Sequence, residues 1–282
     1  NLEFYNIFRN SATDIHAKKQ RKISSQINVN KQTIKYASKI RFETNFYNQY
    51  YNTEDKKINN NYITSNYFRS FPILSISAET PFKIQNIKNN FTYTPKLKLI
   101  ITPGISNSDK ISNEDSSINS YTIENNSDLN RYNGTDKLDN SKRLDLSFNI
   151  KNNILDGTFW TTYEFTKNSN YHYSQGNEKN LSDILANIRL TKKKYDGLYE
   201  FRFDPHNNYM KKQNAQISYN NNLGKFNFSY LDQKNKTEDV IISDQESLNY
   251  KFDSKKFLKF SKISYFGLYD IKKSINTESG FS

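Results

Sequence analysis

The residues best suited to acid, base or metal chemistry are few. His16, His172 and His206 lie far apart in polar, turn-rich stretches. None has a carboxylate or cysteine at ligand spacing, so they read as solvated loop histidines. Glu114 and Asp115 are adjacent and could share a proton or hold a cation; a turn or loop ion pair explains them more simply. No nucleophile elbow, phosphate-cradling glycine loop or HExxH helix occurs. The absence of cysteine excludes disulfides and thiolate metal sites from this stretch. No enzyme activity, cofactor or metal is expected.

Charge is the next chemical resource. With 41 basic and 29 acidic residues the net charge is +12, which suits a polyanionic partner: nucleic acid, anionic lipid or a phosphorylated glycolipid. Drift toward Lys, Asn, Ile, Tyr and Phe in an AT-rich genome explains it equally well. The 21 Tyr and 20 Phe could stack on bases beside those cations, but they alternate with the charges and fall on the opposite face of each strand. Nucleic acid is therefore not an expected partner.

Those aromatics belong to repeated period-two runs, and the runs are what must position everything else. Ile34, Tyr36, Ser38, Ile40, Phe42, Thr44 and Phe46 alternate with Lys35, Ala37, Lys39, Arg41, Glu43 and Asn45. Leu144, Leu146, Phe148 and Ile150 alternate with Arg143, Asp145, Ser147 and Asn149. Similar runs surround Phe91, Phe159, Tyr199, Ile217, Phe228 and Tyr250, and predict roughly 13 strands, most of about 8 to 16 residues.

Short turns are expected near Asn28 to Lys31, Lys83 to Lys88, Asn152 to Asp156, Lys192 to Asp196, Asn220 to Gly224 and Asp253 to Lys256. Long polar connections are expected near Asn10 to Gln20, Asn52 to Asn66, Gly104 to Ser141, Asn168 to Ser182 and Lys234 to Gln245, with a shorter one at Pro205 to Lys211.

Alternating short and long connections between long strands predict an all-β fold, an antiparallel transmembrane β-barrel of the outer-membrane type. A soluble adhesin built of sandwiches has shorter strands. Only 34% of residues are hydrophobic and mean hydropathy is −0.92, as expected when half of each strand faces water. No apolar run is long enough for a transmembrane helix. A cation on the lipid face near mid-membrane costs about 2–4 kcal/mol, so Lys35, Lys39, Arg41, Arg143, Arg189 and Arg202 are expected to line an aqueous lumen.

Three segments carry a family resemblance. ISNEDS at Ile111 to Ser116, followed by NRYNGTDKLDNSKRLDLSF at Asn130 to Phe148, resembles the signature of the LPS-assembly outer-membrane protein family LptD. Asn113, Glu114, Asp115 and Ser116 match its first element; Asn130, Arg131, Gly134 and Asp136 match the second. Arg143 stands at the strand-entry arginine. Ser182, Asp183, Tyr199, Phe201, Arg202, Asp204 and Asn214 match a later strand pair. The departures are Ser112 for a proline, Lys137 for an arginine, Ser141 and Lys142 near a Gly-Asn, and Gln213 for an arginine.

The resemblance implies that residues 1–282 are part of one barrel domain with a long extracellular loop at about 104–141, and that the eight matching residues anchor this loop at the barrel mouth, Arg131 and Asp136 helping to pin it. It also implies a periplasmic jelly-roll domain before Asn1 and a cysteine-bearing strand beyond the terminal SGFS. The implied function is lipopolysaccharide (LPS) transport and insertion into the outer leaflet of the outer membrane of a Gram-negative bacterium. Implied partners are LPS, an LptE-like lipoprotein plug, the periplasmic Lpt bridge reached through the N-terminal domain, and outer-membrane lipids. The alternative is an outer-membrane porin or energy-coupled receptor for another solute.

Overall fold

A long period-two run gives a strand two chemically different faces. In the computed structural model, which describes residues 1–85, 90–166, 179–237, 240–255 and 263–281, these runs form β1 (Leu2–Phe8), β2 (Lys19–Lys35), β3 (Ser38–Ile58), β4 (Asn61–Glu79), β5 (Phe82–Gln85), β6 (Asn90–Ile101), β7 (Ser117–Ile118), β8 (Tyr132–Asn133), β9 (Lys142–Lys151) and β10 (Leu155–Glu164). They continue as β11 (Ile184–Lys192), β12 (Tyr195–Asp204), β13 (Tyr209–Asn220), β14 (Gly224–Thr237), β15 (Val240–Ser254), β16 (Ser264–Asp270) and β17 (Ile275–Phe281). All but β7 and β8 belong to one 15-stranded sheet, whose order follows the sequence, with β5 beside β6. The pairings are antiparallel. The strands β7 and β8 pair with each other inside the long loop, which also holds one helical turn, Ile123–Asn126.

Several boundaries differ from the pattern reading. The turn expected near Asn28 to Lys31 lies inside β2; the chain reverses instead at Tyr36 and Ala37, at φ 51° and 61°. The long loop expected at Asn52 to Asn66 is a two-residue reversal at Asn59 and Asn60, at φ 48° and 66°. Both have the positive φ pair that matches strand twist in tight hairpins. β14 and β15 likewise run into the loop expected at Lys234 to Gln245. Part of that loop, part of the turns expected near Lys83 to Lys88 and Asp253 to Lys256, most of the loop at Asn168 to Ser182, His172, and the last residue of SGFS lie outside the described residues.

The chain divides into two compact units. In the first, residues 1–79, 97–145 and 163–166, register places Phe4, Ile23, Tyr50 and Phe68 in one cross-strand row, and Val29, Thr44 and Leu74 in another on the same face. The large apolar side chains of this face are exposed, Phe4 at 69% and Phe68 at 65%, with the small Thr44 shielded between Val29 and Leu74. The opposite face holds Gln20, Lys22, Gln49, Tyr51 and Arg69, all buried, Lys22 at 0% and Arg69 at 3%. A water-soluble domain has the reverse arrangement. From Phe42 to Tyr50 on β3 the apolar face runs about 26 Å along the strand, which tilt reduces to about 20 Å, near the height of a bilayer's apolar band.

In the second unit, residues 80–96, 146–162 and 179–281 where described, Ile217, Phe228, Tyr250 and Gly267 form one row, and Tyr219, Phe226, Phe252, Tyr265 and Phe281 another. Their rings meet across strands in tilted contacts, Phe226 with Phe252 at 4.5 Å and Tyr265 with Phe281 at 4.6 Å. The other face carries Gln216, Ser229 and Asn249 in register.

Candidate functional site

The loop 102–141 lies against the polar face of β1 to β4, and side chains from all four strands hold it. Asp115 and Asp136 clasp each other's backbone: the Asp136 N–H donates to the Asp115 carboxylate at 2.8 Å, and the Glu114 and Asp115 N–H groups donate to the Asp136 carboxylate at 2.8 and 3.2 Å. Lys22 of β2 puts its ammonium between them, 3.0 Å from Asp115 and 2.9 Å from Asp136. The hydroxyls of Tyr5 and Tyr51 donate to Asp136 at 3.0 and 3.1 Å. A buried ammonium is tolerable only with such pairing.

Other strand side chains bind the loop backbone. Arg69 donates to the carbonyls of Thr135 at 2.8 Å and Asp136 at 3.1 Å, and Gln49 donates to Thr135 at 3.0 Å. Gln20 exchanges two hydrogen bonds with the Ser112 backbone, at 2.8 and 2.9 Å. Lys56 donates to the Ile111 carbonyl at 2.7 Å. It faces the loop because a one-residue bulge between Thr53 and Lys56, with Asp55 at φ 54°, shifts the alternation. A small apolar cluster, Tyr47, Phe71, Ile73, Ile100 and Leu138, closes the contact.

Burial pushes the Asp136 carboxyl above its usual range; the Lys22 ammonium opposes this and the Asp115 charge adds to it. Burial also pushes Asp115 upward, but hydrogen bonds from Ser116 and the Asp136 amide, with Lys22, outweigh it and leave Asp115 below its usual value.

The family model described as LPS transport system D matches residues 1–271. The chain belongs to the LptD family. Members are outer-membrane β-barrel proteins of Gram-negative bacteria that act in LPS transport and assembly, with LPS as substrate and the Lpt system as partner. No curated protein matches the chain.

In this LptD-family chain the eight motif residues come together in one place. Asn113 accepts from the Ser116 N–H at 3.0 Å and donates to the Ser116 carbonyl at 2.7 Å, forming the turn that presents Glu114 and Asp115. Ser116 accepts from the Lys137 N–H at 2.9 Å. Asn130 bridges to Gly134 and Asp139. Gly134 has φ +76°, and a Cβ there would lie 2.3 Å from the Asp115 carbonyl oxygen. Glu114 pairs with Arg9, and His16 Nδ1 lies 3.5 Å from it, so His16 does have a carboxylate companion, brought from about a hundred residues away. His206 contacts the Leu181 carbonyl at 2.8 Å.

Arg131 does not pair with Asp136. It reaches Asp139 and Glu164 instead, while Asp136 is occupied by Lys22 and the two tyrosines. Arg143, fully buried, holds Asp139 at 2.8 Å and Asp145 at 3.1 Å. Two departures from the family pattern are used: Ser112 supplies the N–H that Gln20 accepts, which a proline lacks, and Ser141 donates to Glu164 at 2.8 Å.

The six basic residues proposed for a lumen separate into two groups. Lys39 and Arg41 share a face with Glu79 and Ser77, opposite Phe42. Arg143 lies opposite Phe148 on β9. Arg189 and Arg202 lie on the face of Leu198 and Leu185, paired with Asp196 at 3.2 Å and Asp183 at 2.6 Å. Lys35 is different: the reversal at Tyr36 and Ala37 sets it opposite Ser38, on the face of Phe42, with its ammonium over the Tyr36 ring at 5.2 Å. It extends along the apolar face toward its end, as a cation does at a membrane boundary. In the second unit Lys211 joins Asp183 at 3.0 Å to Asp204 at 3.1 Å, and Asn214 donates to Glu200 at 2.8 Å.

Strand-borne Tyr5, Gln20, Lys22, Gln49, Tyr51, Lys56 and Arg69 are the members of the site that pattern reading misses. The available signal was weak: polar residues at inward positions of alternating runs, whose partners lie far along the chain.

Proposed function

We propose that the chain forms wall and inner loop of a single LptD barrel domain, spanning both compact units, which delivers LPS into the outer leaflet of the outer membrane. The carrying observation is the loop held on the polar face by a buried charged clasp, while the reverse face is apolar and exposed. Lys39, Arg41, Arg143, Arg189 and Arg202 line the aqueous side, where their charge favours the acidic, phosphorylated sugars of the substrate. The clasp fixes the loop and performs no bond chemistry; an LptE-like plug and the periplasmic bridge complete the path.

The test is pulse-labelled LPS in cells carrying the full-length protein with Lys22→Met. Surface arrival of new LPS slows several-fold while folded barrel remains detectable. Normal LPS arrival together with altered uptake of a small solute supports a porin or receptor instead.

A further inference from the structure

We propose that Asn6, Arg21, Asn52 and Asn66 form a headgroup site on the outer wall for a phosphorylated glycolipid of the outer leaflet. This rests on the outer-membrane reading above but concerns the lipid-facing side, not the transport route. The four residues occupy one continuous cross-strand row over β1, β2, β3 and β4. The row lies immediately beyond Phe4, Ile23, Tyr50 and Phe68 on the same face, at the end of the sheet that carries the 102–141 loop. Long connections mark the extracellular end of such barrels, so the row meets the outer leaflet where acyl chains give way to headgroups.

Arg21 is the distinctive member. Its guanidinium makes neither ion pair nor hydrogen bond among the described residues, whereas Arg9, Arg41, Arg69, Arg131, Arg143, Arg189 and Arg202 are all engaged. The nearby Glu54 is held by Lys19 at 2.9 Å, which leaves Arg21 free to take an oxyanion in its planar fork. Asn52 donates to Asn66 at 2.8 Å and Tyr50 donates to Asn66 at 3.1 Å, which fixes the row and leaves the exposed Asn6 and Asn66 amides beside Arg21. Four strands span about 14 Å, wider than one phosphodiester. An arginine flanked by three amides matches a sugar headgroup bearing a phosphate: charge on the phosphate, amides on hydroxyls, and the aromatic row beneath against acyl chains.

The test is native mass spectrometry of the full-length protein, with its co-purifying partners, offered lipid A, dephosphorylated lipid A or phosphatidylglycerol. Wild type is expected to retain lipid A about tenfold better than either of the others, the size of one charge-assisted contact. Arg21→Gln removes the preference, and Arg21→Lys, a point charge, restores part of it. Equal retention of lipid A by wild type and Arg21→Gln overturns the site, as does equal retention of phosphatidylglycerol by wild type. Heat-modified mobility on gels confirms that each variant is folded. The LPS-arrival assay separates the two readings: normal arrival with unchanged lipid A retention in Arg21→Gln sinks only this site.

Discussion

At the scale of single residues, the clasp concentrates its demands on a few atoms. Gly134 sits in the left-handed region with no room for a Cβ, so Gly134→Ala is expected to cost about 1–3 kcal/mol in local loop stability. Faster amide exchange across residues 134–137, with the sheet unchanged, is the measurement; unchanged exchange rejects the argument. The two aspartates also set a pH response of opposite signs. Asp136 has a raised folded pKa, so its contribution is fully present below the unfolded value of about 3.9 and is lost as pH rises through the raised value. Asp115 has a lowered folded pKa, so its contribution is present above about 3.9 and is lost as pH falls through the lowered value. On acidification from neutrality, loop protection should first rise slightly and then fall below about pH 4. A steady fall from pH 7 downward would contradict the assignment.

At the scale of elements, alternation was legible wherever a strand stayed in one register: β9 follows Leu144 to Ile150 and Arg143 to Asn149 as the residues suggest. It failed at the Tyr36–Ala37 reversal, which has no residue signature. Tyr36 and Ala37 carry no turn preference, so the pattern ran through them and put Lys35 on the wrong face. The clasp was half legible. Its loop half is compact in sequence, but Lys22 lies 93 residues from Asp115, and Arg69 lies 67 from Asp136; no local period relates them. The β3 bulge is a device of this scale. If its role is to turn Lys56 inward, deleting Asp55 leaves Lys56 on the same face and removes a positive-φ residue, costing under about 1 kcal/mol. Lys56→Met, which leaves the Ile111 carbonyl without its donor, should cost about 1–3 kcal/mol. Urea titration of the folded protein in vesicles compares them; a deletion as damaging as the substitution refutes the role.

For the whole molecule, the decisive property is that large apolar side chains such as Phe4 and Phe68 are exposed while Lys22, Lys56, Arg69, Arg131 and Arg143 are buried. The rows of the second unit make this testable without touching the loop. Phe228→Lys places a cation on the aromatic face and should cost about 2–4 kcal/mol near mid-membrane. Ser229→Lys, one residue on and on the opposite face, should cost less than about 1 kcal/mol. Equal penalties in lipid vesicles would mean that the two faces do not meet different solvents.

Lys22 has a consequence for how such a chain is made. Its ammonium, at 0% exposure, has carboxylate partners at 115 and 136 that are synthesised long after β2 and β3. Until the loop arrives, hairpins drawn from residues 1–79 offer Lys22 only the Glu3 carboxylate, at 3.7 Å, and leave two tyrosine hydroxyls and Arg69 on a face without its cover. The first four strands are thus poor company for a membrane by themselves and become acceptable only once a distant segment has docked. Docking of the loop thereby brings Lys22 the two nearer carboxylates, at 3.0 and 2.9 Å, and separates a covered wall from a bare one.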